Sequence, residues 1–224
     1  MICASCHSTE AVTGETRCAR CAPVTPFVPA GPPLRSPVGL GQATVVMLGL
    51  VGAGDAVAIW ADLAKPSLLA DSVLDIAQGA LLIATAVVYL CWLWRVRANA
   101  EVFDASSQSM GRGWVIGGWF VPIVNFWFPR RIVLEAWDAS APQGRPAGHA
   151  LVNWWWASWV ASLLADRLLR RQYDTGLAGA WALVVTDALD LVAAALAAVV
   201  VLKLTRMQHE KALQGPLLPT TALG

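Results

Sequence analysis

Four cysteines near the start of the chain have the spacing of a metal site. Cys3 and Cys6 form one Cys-x2-Cys pair, Cys18 and Cys21 form a second, and eleven residues separate the two pairs. Four thiolates so placed can surround one zinc ion tetrahedrally, and such a site leaves no position for water or substrate. We therefore predict a structural zinc ion held by these four cysteines.

Residues 1–22, which contain the four cysteines, are predicted to form a small zinc-ribbon-like segment. No apolar signal-peptide core precedes the cysteines, so we expect a reducing cytosol in which zinc is favoured over disulfides. So short a segment cannot bury a core without its metal. His7 adjoins Cys6 and could replace one cysteine as a ligand, although a solvated histidine is the simpler interpretation.

The cysteine pattern resembles the short zinc ribbons often attached to bacterial membrane proteins. The resemblance covers about residues 3–21, and it departs from those ribbons where His7 and Ala22, rather than glycine, follow the two cysteine pairs. We expect the segment to contact a partner protein, or else to respond to zinc or to thiol oxidation.

Carboxylates within apolar runs are the second group of candidate residues. Asp55 interrupts the first long apolar run, and Asp187 and Asp190 lie in the last one. A carboxylate in hydrocarbon is costly and usually faces protein or water, and the depths of Asp55 and Asp187 in their runs allow these two to meet. We find no Lys or Arg at that depth to act as a counter-ion. The carboxylates either join helices by hydrogen bonds, through Thr186 and Asp55, or form a proton or cation path.

Recognised catalytic signatures do not occur in this sequence. The three histidines, His7, His149 and His209, do not adjoin a plausible nucleophile, and no metalloprotease, nucleophile-elbow, phosphate-loop or dinucleotide-binding motif is present. The net charge of +1 gives no reason to expect a nucleic-acid partner. We therefore expect a protein that is not an enzyme.

The elements that must position these residues are predicted to be membrane helices. Hydrophobic residues make up 57% of the chain and charged residues only 14%, against about 25% charged residues in ordinary soluble domains. Four apolar runs are long enough to cross about 30 Å of hydrocarbon as helices, namely residues 36–61, 76–94, 146–165 and 175–202. The predicted fold is an all-α polytopic membrane helical bundle with four spans.

Composition also divides the chain into regions. After the zinc-ribbon-like segment 1–22 we predict a Pro-rich linker 23–37, a transmembrane helical domain 38–208 and a flexible C-terminal tail 209–224. The density of proline in the linker favours an extended polyproline conformation, which makes a semi-rigid spacer.

The distribution of basic residues predicts the orientation. With four spans and both termini in the cytosol, twelve of the sixteen Lys and Arg residues lie on the cytosolic side, as the positive-inside rule requires. If residues 113–129 also crossed, making five spans, the basic residues would be divided almost evenly. We therefore expect an inner-membrane protein with both termini in the cytosol.

The uncharged segment 113–129 is predicted to be a broken element. Pro122 removes a backbone donor, Gly117 and Gly118 permit close approach, and Asn125 offers both donors and acceptors. The segment is either a kinked, packed helix at the membrane interface or a re-entrant element lining a small cavity. After it, apolar residues alternate with charged ones at helical spacing, which indicates an amphipathic interfacial helix.

Tryptophans are expected to mark the membrane boundary. Trp92, Trp94, Trp114 and the run 154–156 would lie near the inner boundary, where indole rings are favoured. A binding platform for an aromatic or cationic ligand is the alternative interpretation of the run. Cys91, within an apolar span, is expected to be a small packed residue.

Two longer stretches resemble a known family. WRVRANAE at residues 94–101, GWFVPIVNFWFPRRIV at residues 118–133, and Trp137 with the following Ala139 and Ser140 resemble a bacterial membrane family described as domain of unknown function 4328. The likeness extends over roughly residues 45–208. It implies an integral membrane domain, often behind an N-terminal ribbon or a Pro-rich tail, and carries no catalytic role.

These observations favour a non-catalytic function. We expect a membrane scaffold or sensor whose zinc ribbon contacts a cytosolic partner. The alternative is a small proton- or cation-coupled transporter or channel that uses Asp55, Asp187 and Asp190 around the segment broken at Pro122.

Overall fold

The chain divides into two units, Met1–Pro33 and Leu34–Gly224. The computed structural model describes residues 2–4, 6–8, 10, 18, 21, 33–64, 68–142 and 148–214, with the backbone alone at 61–64, 68–72 and 75. Most of the predicted Pro-rich linker, and residues 215–224 of the predicted tail, therefore lie outside the described residues. In the first unit, Ile2 and Glu10 form an isolated antiparallel bridge.

The second unit is built from helices. In chain order these are α1 Val38–Ala64, α2 Leu68–Phe103, α3 Trp114–Phe120, a 3-10 turn Val124–Phe126, α4 Phe128–Ser140, α5 Ala150–Ala165, a π-helical turn Asp166–Arg170, α6 Arg171–Asp174 and α7 Trp181–Leu213. No strand occurs among the described residues, so the predicted all-helical fold is confirmed for them. α7 continues beyond residue 208, where we predicted the transmembrane domain to end.

Three of these helices are long and apolar enough to cross a membrane. The qualifying segments are Val38–Trp60 in α1, Ile76–Phe103 in α2 and Trp181–Leu213 in α7. They coincide with three of the four predicted spans. The fourth predicted span, residues 146–165, contains α5, a helix of 16 residues.

Close contacts define how the long helices run. Gly41 of α1 faces Thr205 of α7, and further along α1 a β-carbon at Gly52 would lie 3.0 Å from Leu191 Cδ1. Because the residue numbers rise on one helix and fall on the other, α1 and α7 are antiparallel. α5 also packs against α7, and α4 packs against α2.

The segment 113–129 is broken, as its prolines predict. α3 ends at Phe120, and Val121 is extended with φ −83° and ψ 116°, the conformation that a following proline favours. Ile123 then adopts a left-handed φ of 69°, which an unstrained β-branched residue rarely does. Pro129 occupies the first turn of α4, where its missing donor is harmless. The break thus falls at Pro122 and Ile123.

Gly117 and Gly118 lie inside α3, before the break. A β-carbon at Gly118 would approach Phe128 Cβ to 3.2 Å, so this glycine lets α3 lie close to the start of α4. A β-carbon at Gly117 would lie 3.8 Å from the ring of Trp114, an ordinary contact. Close approach is therefore needed at Gly118.

The hydrophobic core joins one half of α2 to α4, α5 and α7. Its buried residues are Trp92, Leu93, Val96 and Ala100 of α2, Val115 of α3, Ile132, Val133, Ala136, Trp137 and Ala139 of α4, Val152, Trp155 and Trp156 of α5, and Ala197, Val200, Val201 and Leu204 of α7. The amphipathic pattern predicted for α4 is confirmed. Its apolar face covers other helices.

The boundary interpretation of the tryptophans was wrong for several of them. Trp92, Trp155 and Trp156 are buried in the core, whereas Trp154 is 70% exposed. Successive residues of a helix point in different directions, so a run of three indoles cannot share one environment. Cys91 is exposed, which corrects the prediction that it is packed.

Candidate functional site

The four cysteines predicted to bind zinc lie together in the first unit. Their Sγ atoms all lie within 4.8 Å of one another, and the Sγ atoms of Cys6 and Cys18 are 3.8 Å apart. Sulfur ligands about 2.3 Å from a tetrahedral zinc ion are about 3.8 Å from one another. We refer to these residues as the cysteine cluster, and its donor set could hold a metal ion.

Tight turns bring each cysteine pair into the cluster. The His7 amide donates to the Cys3 carbonyl at 3.0 Å, and the Cys21 amide donates to the Cys18 carbonyl at 3.0 Å. His7 has a left-handed φ of 53° and an exposed side chain. It thus adopts the conformation that glycine usually provides. The second turn would involve Ala22, which lies outside the described residues.

The thiols of the cluster also interact with one another. Hydrogen bonding to the Cys18 thiol, and then to Cys6, raises the pKa of Cys21 to about 12. A metal ion that binds here must therefore displace protons from the cysteines.

Asp55 is buried at a contact between α1 and α2. Its Oδ1 accepts a hydrogen bond of 2.7 Å from Gln78 Nε2, which also donates to the Val51 carbonyl at 3.1 Å. A β-carbon at Gly54 would overlap the Gln78 amide where it now lies, so a larger residue here would displace that amide. Asp55 Oδ2 is buried and has no hydrogen-bond partner in the described part of the chain.

Asp190 of α7 is the acidic neighbour of Asp55. The two carboxylates are close enough to interact electrostatically, and Asp190 lies within hydrogen-bonding reach of Ser162 on α5. The structure thus brings Asp55 close to Asp190, whereas the depths in the apolar runs had matched Asp55 with Asp187. Asp187, one turn earlier on α7, is half-buried.

Two details of the predicted carboxylate site were wrong. The Thr186 hydroxyl donates to the Ala182 carbonyl of its own helix at 3.0 Å, so Asp55 is joined to α2 through Gln78 instead. Arg170, in the π-helical turn, lies near enough to Asp190 to act as a counter-charge. We had missed Arg170 because it follows the fourth apolar run rather than interrupting one.

The broken segment and the carboxylates lie in different places. The rings of Trp119 and Tyr89 are 5.5 Å apart, and Tyr89 lies about 16 Å along α2 from Gln78. Trp156 Nε1 donates to the Phe126 carbonyl at 3.1 Å, which holds the segment against α5. Asn125 Oδ1 is buried without a hydrogen-bond partner among the described residues. The structure therefore gives no single site containing Pro122 and Asp55.

A buried arginine was overlooked in the sequence. Arg97 of α2 is 1% exposed; its Nη1 donates to Glu135 Oε2 of α4 at 3.2 Å, and its Nη2 donates to the Met110 carbonyl. Its Nε is 3.5 Å from Glu101. Arg97 thus joins α2, α4 and the turn that precedes α3. The available signal was its helical spacing from Leu93, which places a charge beside the apolar face of α2.

A second buried network, also overlooked, lies nearby. Asn99 of α2, Ser140 of α4 and Gln208 of α7 are each at most 4% exposed, and hydrogen bonds connect all three. We refer to these three residues as the amide network. Three residues from three helices cannot be grouped from their spacing in the sequence, because no local pattern relates them.

In the part of the chain that the structure describes, the fold is all-helical and three helices are long and apolar enough to cross a membrane, consistent with a multi-pass membrane protein. The family model for a domain of unknown function (DUF4328) matches residues 55–208. The chain belongs to this family, which confirms the resemblance of its central stretches. No curated protein matches the chain, and neither does any solved structure.

Proposed function

We propose that this protein is a non-catalytic membrane scaffold or sensor whose cysteine cluster holds zinc and forms a cytosolic contact for a partner protein. The proximity of the four Sγ atoms, within 4.8 Å of one another, carries this proposal. Four thiolate ligands fill a tetrahedral zinc site, so the metal would stabilise a binding surface and take no part in a reaction. The helices then anchor that surface at the membrane.

The proposal includes four crossings of the inner membrane, with both termini in the cytosol. α5, the π-helical turn and α6 follow one another from Ala150 to Asp174, a length of about 37 Å if helical throughout, which is enough to cross. Trp60 and Trp181 are exposed at one end of the long helices, and Trp127 and Trp154 are exposed at the other. Two groups of exposed indoles suit the two boundaries of a bilayer.

Crosslinking and capture of partners from cells tests the role of the cluster. Full-length protein is compared with a Cys3→Ser/Cys6→Ser variant, and Cys91→Ser serves as the matched control because Cys91 lies outside the cluster. We expect a defined set of partners with wild type and Cys91→Ser that is lost with the double variant. The same partners with all three proteins would contradict the proposal.

A second candidate function is proton- or cation-coupled transport, which we propose on the basis of Asp55. Its Oδ2 is buried without a hydrogen-bond partner among the described residues, and Asp190 lies near it. Two neighbouring carboxylates, one of which has an oxygen without a hydrogen-bond partner, can exchange a proton or bind a small cation. Proteoliposomes would then show acid-dependent flux that Asp55→Asn and Asp190→Asn abolish and that Asp174→Asn, on exposed α6, retains. Equal flux with all variants would exclude the carboxylates.

A further inference from the structure

The chain that leads into α1 is held by its backbone. The Arg35 amide donates to Asn99 Oδ1 at 3.0 Å, and the Arg35 carbonyl accepts from Asn99 Nδ2 at 2.7 Å. The buried side-chain amide of Asn99 therefore binds both backbone polar groups of Arg35. Arg95, also on α2, donates from Nη1 to the Ser36 carbonyl at 3.1 Å.

The residue that holds Arg35 belongs to the amide network. Asn99 Nδ2 also donates to Gln208 Oε1 at 3.1 Å. Gln208 Nε2 in turn donates to the Val96 carbonyl at 2.9 Å and to Ser140 Oγ at 3.2 Å. Hydrogen bonds thus lead from the backbone before α1 to α2, then to α7 and α4.

The buried positions of these groups make their hydrogen bonds interdependent. If Arg35 moves away, Asn99 Oδ1 loses its donor at a side chain that is only 4% exposed in the folded chain. A buried polar group without a partner is strongly unfavourable, so the amide must turn toward another group. Because Asn99 Nδ2 also binds Gln208, such a turn disturbs Gln208 and its contact with Ser140.

We propose that the amide network couples the chain at Arg35 to the packing of α4 and α7. Displacement of the chain at Arg35 loosens the contacts of α4 with α7, and loosening of those contacts releases Arg35. This inference rests on the proposed function, in which the residues before Arg35 carry the surface that binds a partner. The network is then the route by which an event at that surface reaches the membrane domain.

Trypsin cleavage of the Arg35–Ser36 bond reports directly on this contact. The carbonyl that trypsin must attack is the group that accepts from Asn99, and the Arg35 side chain is exposed. Cleavage of a transiently open segment follows the population of the open form. The experiment measures, by mass spectrometry, the rate at which the new amino terminus at Ser36 appears in the full chain in lipid nanodiscs.

The variants separate a local contact from a coupled one. We expect Asn99→Ala to raise the cleavage rate about tenfold. We expect Ser140→Ala and Gln208→Met to raise it several-fold as well, although neither residue binds Arg35. Ser158→Ala is the matched control, because the Ser158 hydroxyl donates to the Trp155 carbonyl of its own helix, as Ser140 does to Ala136.

Cleavage at Arg206–Met207 within α7 monitors unfolding of the domain. If Asn99→Ala also speeds cleavage at Arg206–Met207, that variant has unfolded the domain. The test of coupling then depends on Ser140→Ala and Gln208→Met. Rates for Ser140→Ala and Gln208→Met equal to the control would overturn the coupling, and so would an unchanged rate for a folded Asn99→Ala. Capture of the same partners by Cys3→Ser/Cys6→Ser, together with the expected cleavage rates, would instead overturn the proposed function and leave the coupling in place.

Discussion

At the scale of single residues, backbone conformation explains roles that residue type conceals. His7 follows a cysteine pair at the position where glycine is usual, and it adopts the left-handed conformation itself, with φ 53°. A residue with a β-carbon is strained there, by about 1–2 kcal/mol. The imidazole is exposed, so the backbone of His7, and not its ring, shapes the cluster.

Substitutions at His7 test this interpretation. We predict that His7→Gly binds zinc with the same stoichiometry and at least equal affinity, because glycine adopts positive φ without strain. His7→Val should weaken binding, because a β-branched residue is strained at positive φ beyond the strain that histidine already carries. Competition with a chromophoric chelator measures both affinities. Loss of zinc binding in His7→Gly would identify the imidazole as a ligand.

Two glycines of α1 offer a second test. We predict that Gly54→Ala lowers the free energy of unfolding by about 1–3 kcal/mol. The added methyl group overlaps the Gln78 amide and displaces it from Asp55. Gly49→Ala is the control, since a β-carbon there meets nothing within 4 Å, and it should be neutral or stabilising. Thermal unfolding in detergent distinguishes them; equal midpoints would mean that Gln78 is displaced at no cost.

At the scale of elements, Glu135 secures α4 to the turn before α3. It accepts from Arg97 at 3.2 Å, from the Ser109 amide at 3.2 Å and from Arg131 at 3.1 Å. The first contact is buried, whereas the Arg131 side chain is 60% exposed. The ion pairs of Glu135 with Arg97 and with Arg131 should therefore contribute very different amounts to the free energy of unfolding.

We predict that Glu135→Gln destabilises the domain by about 3–5 kcal/mol, because it leaves the charge of Arg97 buried without its partner. Arg131→Gln should cost about 0–1 kcal/mol, since it removes only a surface pair. Thermal unfolding of both variants provides the comparison. A small effect of Glu135→Gln would show that Glu101 alone can neutralise Arg97.

Hydropathy predicted the long helices but not the contacts between them. The apolar runs of α1, α2 and α7 are visible because length and absence of charge are local properties. The break at Pro122 was predictable for the same reason. The burial of Arg97 was not predictable in this way, because its partner Glu135 comes from α4. The burial of Trp155 and Trp156 likewise depends on neighbours from other helices.

At the scale of the whole molecule, the family domain and the long helices do not coincide. The family match begins at Asp55, within α1, whereas α1 begins at Val38. Gly41 and Gly52, which face α7, precede the match. The first part of α1 is thus packed on the domain although the family model does not include it.

Labelling with a membrane-impermeant thiol reagent tests the number of crossings. In a Cys91→Ser background, we predict that Thr175→Cys reacts in intact spheroplasts, because four crossings place the loop after α6 outside. Gly111→Cys, in the turn before α3, should react only after permeabilisation. Protection of both positions in intact cells would mean that α5 does not cross and that three spans are correct.

The length of α2 and α7 has a consequence for the response to lipid. Both helices continue without interruption past the uncharged runs that end at residues 94 and 202, to Phe103 and Leu213, and those extensions carry Asn99 and Gln208. A helix adjusts to a thinner or thicker bilayer by tilting. Because each extension is continuous with its span, a change of tilt moves the side chains that hold Arg35. We therefore expect a change of bilayer thickness to act on the start of α1 through these side chains.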